Sequence, residues 1–352
     1  MANIVEVKHP GIHLEAEINK IGMSVNEFAV RTMIPLKTVN KIIKGEANIT
    51  VDIAKKISMF FNAKIETWMN LQTKYDEYLI DVENHKSINK EIEVLKYFDK
   101  DFLKKVTDKS VNLNDKESVV YDLRQKLMVN SLELLKTDDL FNIYKNSETK
   151  PEEKTMVLQN AFISYAYSTT NHKRGKNYDY TQNTNIVEGL KKLTLVEKNQ
   201  YQNIKEYLKK QGINIAIVPF IKDSNIQSFV RFLPGENSVI IGLNDKLDDA
   251  YLFIYYVLVE LSYTYRIHKN LFNIVYTNQP IDDYAKRFAN LTLIDNDEYD
   301  YFVHIHDFQA KAVELLSKKL NVAKYIIVGR LRMDKLIKQA DLKKENREYK
   351  FD

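Results

Sequence analysis

Apolar residues recur at helical spacing from the start of the chain. Gly11 to Ile21 places Leu14, Ile18 and Ile21 on one face. Ser24, followed three residues later by Glu27, reads as a capping box opening a second helix. Phe28 and Ala29 are its inward positions, and Ala29 is small enough to let another helix pack close. Met33-Ile34 interrupts the pattern as a turn. Pro35 suits the first position of a third helix, where no N–H is needed, and Gly45 suits its end, where φ turns positive. Thr50 caps a fourth helix carrying Ile53, Ala54, Ile57 and Phe60. A fifth repeats Ile65, Trp68, Leu71 and Tyr75. The apolar neighbours of Trp68 at i+3 and i+7 make it a core anchor.

Residues 76–211 keep helical periodicity, except that 171–185 (NHKRGKNYDYTQNTN) lack any apolar run and read as an exposed loop. After Gly212 the pattern changes. Segments 213–220, 228–233 and 238–243 are β-rich, with Pro234 to Asn237 as a hairpin turn between the last two. An apolar helix follows over 247–266. Its longest apolar run, Ala250 to Val259, is closed by Glu260 and Arg266 and is far too short to span a bilayer. A variable stretch comes next, then a helix over 307–320, and the charged end DLKKENREYKFD reads as frayed. The expectation is an α+β chain, mostly α, in three parts: a five-helix domain over 1–78, a helical middle over 79–211 and a mixed domain over 212–352.

The third helix has two distinct faces. At 100° per residue, Leu36, Val39, Ile42 and Ile43 share one arc, and Lys37, Asn40, Lys41 and Lys44 share the opposite one. With the cap, the short turn and the terminal Gly, residues 24–45 look like a DNA-binding helix-turn-helix, its basic arc free for a major groove. Charge sharpens this. Residues 8–74 hold ten Lys/Arg against six Asp/Glu, a surplus equal to the +4 of the whole chain. The absence of cysteine excludes disulfides and Cys-based zinc sites. The N-terminus MANIVEVKHP has no apolar signal segment, so a cytoplasmic chain without membrane attachment is expected.

His9-Pro10-Gly11, the helix-turn-helix and TWMNLQTKYD (67–76) together resemble the HigA-type antitoxins, a branch of the Cro/repressor-like XRE family with a lambda-repressor-like domain. The resemblance implies operator DNA bound as a homodimer. It departs from the family where Val25 replaces a usual Gln and Met33 a usual Gly. Backbone N–H groups at Ser24, Val25 and Asn26 would then position phosphates, as would Lys44, while Lys37, Thr38, Asn40 and Lys41 face the groove.

The remainder resembles proteins that fuse this domain to an ImmA/IrrE-type, zincin-like metallopeptidase domain, through KYFDKDFLKK (96–105), INIAIVPF, SFVRFL, AKRFANLTLID (285–295) and IIVGRLRMDKLI (326–337). That family's signature is H-E-x-x-H, two His holding zinc and a Glu activating water. Here Val259 and Tyr263 stand at the His positions, only Glu260 is retained, and Tyr284 stands at the third, acidic ligand position. Val has no lone pair, and neutral Tyr would have to lose a proton of pKa about 10. The resemblance therefore implies a pseudo-peptidase with no catalytic residue, metal or cofactor. Glu260, on so apolar a helix, needs a hydrogen-bond partner or a raised pKa. Asp282 and Asp283 flank the lost ligand position as remnants. His304 and His306 would share a face if extended and could hold a metal with Glu260. The better reading is a surface pair, with Asp307 capping the next helix.

The expected function is a HigA-like antitoxin and autorepressor. The alternatives are a mobile-element or phage-type repressor without a toxin, and a metallopeptidase with a non-standard metal site. The expected partners are double-stranded operator DNA, a second copy of the chain, and a cognate toxin or regulatory peptide. The C-terminal domain is a peptide- or protein-binding sensor, a dimerisation module or an enzyme with another metal site.

Overall fold

The computed structural model describes residues 6–141, 151–170, 177–233, 237–265, 272–277 and 279–351. The chain divides into two compact units, 1–90 and 91–352.

The first unit is helical: α1 (Pro10–Lys20), α2 (Val25–Thr32), α3 (Leu36–Ile43), α4 (Val51–Phe61) and α5 (Ile65–Ile92). Its core is built from the residues the periodicity singles out, Leu14, Ile18, Phe28, Val39, Ile42, Ile57 and Trp68 among them. Phe28 meets Phe60 edge-to-face at 5.1 Å and stacks on Phe61 at 5.7 Å, while Phe61 lies 6.3 Å from Trp68. One expected inward residue is not inward: Ile21 is 48% exposed. It is the cap residue of α1, where Gly22 turns left-handed at φ 66 and swings the chain away from the buried face.

The second unit continues with α6 (Lys100–Val106), α7 (Lys116–Lys126), α8 (Glu153–Thr169), α9 (Asn183–Thr194) and α10 (Gln200–Lys210). Of the expected loop over 171–185, residues 171–176 lie outside the described residues, but Tyr180–Gln182 form a 3-10 turn and Asn183 begins α9. Asn183 is buried, and its amide donates to the Thr264 hydroxyl at 2.7 Å. The helix thus begins inside the expected loop, and its first residue is tied to a tertiary partner.

Four strands follow in the order β1-β3-β2-β4: β1 (Ile213–Val218), β2 (Ile226–Leu233), β3 (Ser238–Asn244) and β4 (Phe272–Tyr276). β1 runs parallel to β3, and β2 is antiparallel to both β3 and β4. Leu233 pairs with Ser238, and residues 234–236 of the expected turn lie outside the described residues. β4, FNIVY, falls in the stretch read as variable, for which no strand was expected. Every residue of β3 is buried, as expected of a strand covered on both faces. Phe229, on one face, meets Phe162 of α8 at 6.0 Å, whereas Val230, Ile241 and Leu243 join the core that contains α11 (Ala250–Thr264).

The last helices are α12 (Asp283–Leu293), α13 (Asn296–Ile305), α14 (Ala310–Leu320) and α15 (Lys324–Met333). α14 starts later than expected. Gln309 is its cap residue, and Asp307 instead accepts from the Gln309 amide at 3.1 Å. The charged C-terminus is docked rather than frayed. Tyr349 is buried, its N–H donates to Asp248 at 2.6 Å, and its ring and that of Phe351 pack around Tyr201 and Phe253. Two aromatics among the charges outweigh the polar pattern. No helix among the described residues is long and apolar enough to cross a membrane.

Candidate nucleic-acid interface

The turn between α2 and α3 is set by local chemistry. Ser24 Oγ accepts from the Glu27 N–H at 3.2 Å and so opens α2. The reciprocal arm of the expected box is redirected, because the Glu27 carboxylate pairs with Arg31 at 2.6 Å, one turn along the helix. Met33 closes α2 in the left-handed region at φ 54, a position where Gly would be less strained. Pro35 sits one place earlier than expected. It is the cap residue itself, with φ −54 and ψ 133, and its carbonyl accepts from Thr38 and Val39 at 2.8 and 3.1 Å.

α3 ends in a double hydrogen bond. The Gly45 N–H donates to Ile42 at 3.0 Å and the Glu46 N–H to Lys41 at 2.7 Å, with Gly45 at φ +74. Val39 and Ile42 are fully buried and Ile43 packs partly against the same core. Leu36, expected on that face, is 40% exposed at the first position of α3. Ala29 is buried where α2 meets α3.

Opposite the buried face, Lys37, Asn40, Lys41 and Lys44 are exposed and Thr38 is half-buried. Among the described residues none of these four exposed side chains has an ion pair or hydrogen bond, so three ammonium groups and an amide remain for a ligand. Ser24 and Asn26 are exposed at the start of α2, whereas the half-buried Val25 packs its side chain against the core. A short helix with free cations and an amide on its outer face is what a major groove accommodates.

The positions singled out in the second unit have a different character. Val259 and Glu260 are fully buried in α11, Tyr263 is half-buried, and Tyr284 is 47% exposed and stacked on Phe288. α11 runs on through Glu260, which does not close its apolar run. The sheet register explains how a carboxyl is accommodated there. Ser228 pairs with Leu243 and Val230 with Asn273, so Ser228 and Asn273 lie on the face that α11 covers. Ser228 Oγ donates to Glu260 Oε1 at 2.5 Å, while Oε2 has no hydrogen-bond partner among the described residues. Burial pushes the Glu260 carboxyl up to about 8, against smaller opposing effects of Ser228 and the nearby Asn273 amide. Glu260 is thus a neutral acid at pH 7, and it has both the partner and the raised pKa its position requires.

Asp282 caps α12, accepting from the Tyr284 and Ala285 N–H groups at 3.0 and 3.2 Å. His304 lies in the last turn of α13 and His306 caps it at φ 60, so the segment is not extended and does not set both rings on one face. Among the described residues no group of three His, Asp or Glu is placed to hold a metal ion.

This geometry defines the N-terminal unit as a helix-turn-helix domain of the XRE type, and residues 14–68 match the helix-turn-helix family. Over 69 residues, 19% of its length, the chain is 32% identical to virulence-associated protein I of Dichelobacter nodosus, and it spans 64% of that protein. An addiction module antidote protein of the HigA family from Coxiella burnetii is similar at 35% identity, with 25% of this chain and 96% of that one covered and a TM-score of 0.24. The antitoxin HigA of Pseudomonas aeruginosa, solved with the higBA promoter, is similar at 29% identity, covering 24% of this chain and 95% of that one, with a TM-score of 0.23.

Proposed function

We propose that this chain is a sequence-specific DNA-binding transcriptional regulator of the HigA antitoxin type, a cytoplasmic autorepressor that reads its operator as a homodimer. The observation that carries the reading is the exposed face of α3, Lys37, Asn40, Lys41 and Lys44, unpaired among the described residues, on a helix-turn-helix whose other face is locked into a core. Lys37, Thr38, Asn40 and Lys41 contact base edges or groove walls. Lys44 and the backbone of Ser24, Val25 and Asn26 hold phosphates.

Residues 79–211 connect this domain, 1–78, to residues 212–352, which we read as an ImmA/IrrE-type fold that has lost its zinc site and acts as a sensing or interaction module. The support is the run of family-like segments together with Val259, Tyr263 and Tyr284 at the ligand positions. A cognate toxin or a regulatory peptide is its partner, and a toxin gene beside this one distinguishes an antitoxin from a mobile-element repressor. Stoichiometric zinc in the purified chain would defeat the pseudo-peptidase reading.

Selection of bound duplexes from a random pool with the full chain tests the DNA reading. The expected product is a two-fold-related site. Lys37→Ala with Lys41→Ala abolishes its binding with the fold intact, and each lost phosphate contact lowers the salt slope by about one. Unchanged binding by the double variant means that α3 is not the reader.

A further inference from the structure

Behind α3 lies a polar clasp that the groove-facing side chains do not explain. His9 is the cap residue of α1, and its Nδ1 accepts from the Gly11 N–H at 2.9 Å. A ring that accepts at Nδ1 is neutral and carries its proton on Nε2. Nε2 is buried with no hydrogen-bond partner among the described residues.

Three elements meet at this ring. Tyr75 of α5 stands edge-to-face to it at 4.8 Å. Gly45, at the end of α3, faces the ring at ordinary van der Waals range: an added Cβ would lie 3.5 Å from His9 Cγ. Gly11, next to the ring, is pressed on α3 itself, since a Cβ there would lie 1.7 Å from the Ile42 carbonyl oxygen. The titratable groups that meet His9 from the packed elements are Tyr75 and Asp76 of α5. Asp76 accepts from Gln72 Nε2 at 2.8 Å, and Gln72 Oε1 accepts from the Ile49 N–H, also at 2.8 Å, beyond the end of α3.

We propose that His9 is a positioning residue for α3: its neutral ring, seated between Gly45 and Tyr75, holds the amide of Gly11, the residue pressed on Ile42, and so fixes the C-terminal end of the groove-facing helix, and a proton on Nδ1 releases that end. A protonated Nδ1 points an N–H at the Gly11 N–H. The cap is lost and a charge is left in an apolar seat. Burial lowers the affinity of the ring for that proton, and Asp76 partly restores it, so the neutral form prevails at pH 7 and release belongs to acid. The link from α3 position to groove contact rests on the DNA reading; the link from His9 to α3 does not.

Hydrogen exchange of the full chain at pH 7.5 and 5.0, corrected for intrinsic rates, tests the proposal. Peptides covering 36–46 lose protection about five- to tenfold in acid, the scale of a lost helix cap, while peptides covering α2 do not. His9→Asn, which keeps an acceptor at the cap and cannot be protonated, removes the pH dependence. No selective loss in the wild-type chain, or the same loss in His9→Asn, overturns the proposal. The wild-type comparison of 36–46 with α2 decides the matter even if the variant fails to fold. With a selected duplex as probe, affinity falls over the same pH interval for the wild-type chain only, and equal falls in both overturn the coupling. Failure to select any duplex counts against the groove reading alone, and exchange still decides for His9.

Discussion

Replacing Glu260 by Gln removes a carboxyl that the fold can hold only in its neutral form. The folded acid titrates at about 8, against an ordinary value of 4.5 in the unfolded chain. Between those values the folded state keeps a proton that the unfolded state has released. Stability is therefore full below 4.5 and falls by about 1.4 kcal/mol per pH unit as pH rises, until the folded group ionises at about 8. The accumulated loss is roughly 5 kcal/mol, an order-of-magnitude figure of the size of a whole domain's net stability. The side-chain amide of the Glu260→Gln variant does not titrate. Its oxygen can accept from Ser228 and its nitrogen occupies the place of the partnerless Oε2. The variant and the wild-type chain should have similar urea midpoints near pH 5 and diverge steadily toward pH 8.5, with the variant the more stable. Near-UV circular dichroism follows mainly the second unit, which holds all of the tyrosines except Tyr75 and Tyr78, and Trp68 fluorescence serves as an internal control for the first. Other titrating groups cancel in the difference between the two curves. Parallel curves from pH 5 to 8.5 would refute the argument that Glu260 is buried as a neutral acid.

Glu91 is the opposite case of a buried carboxyl. Burial pushes its pKa up, but the two-pronged bond from Arg124 and the Leu132 N–H at 2.8 Å outweigh burial and hold it below the ordinary value. Its contribution is present above that value and is lost as pH falls. Glu91→Ala leaves Arg124 without its partner and should cost about 3–5 kcal/mol in chemical denaturation at neutral pH; a cost below 1 kcal/mol would mean that the pair is solvated. Gly11→Ala drives a methyl into the Ile42 carbonyl, 1.7 Å away, and must part α1 from α3. A loss of about 1–3 kcal/mol is expected in the Trp68-monitored transition, with the tyrosine-monitored one unmoved. An unshifted Trp68 midpoint would show that the close approach is not required.

What could be read from the chain alone was whatever acts over three or four residues. Ser24 and Thr50 cap their helices, Gly45 ends α3, and the alternation of Val39 and Ile42 with Lys37, Asn40 and Lys41 defines its two faces, because capping and helical periodicity join near neighbours. Tertiary structure decided what depends on distant partners. β4 pairs with the edge that β2 offers it, and the first residue of α9, Asn183, is tied to Thr264. Tyr349 docks because Tyr201 and Phe253 provide an aromatic seat, and Glu260 is tolerated because the sheet register brings Ser228 beneath it. The same holds within the candidate interface. The groove-facing side chains of α3 were legible from their spacing, but the exposure of Leu36 and the seat of His9 between Gly45 and Tyr75 were not, since burial and contact are set by elements folded onto α3 from elsewhere in the chain.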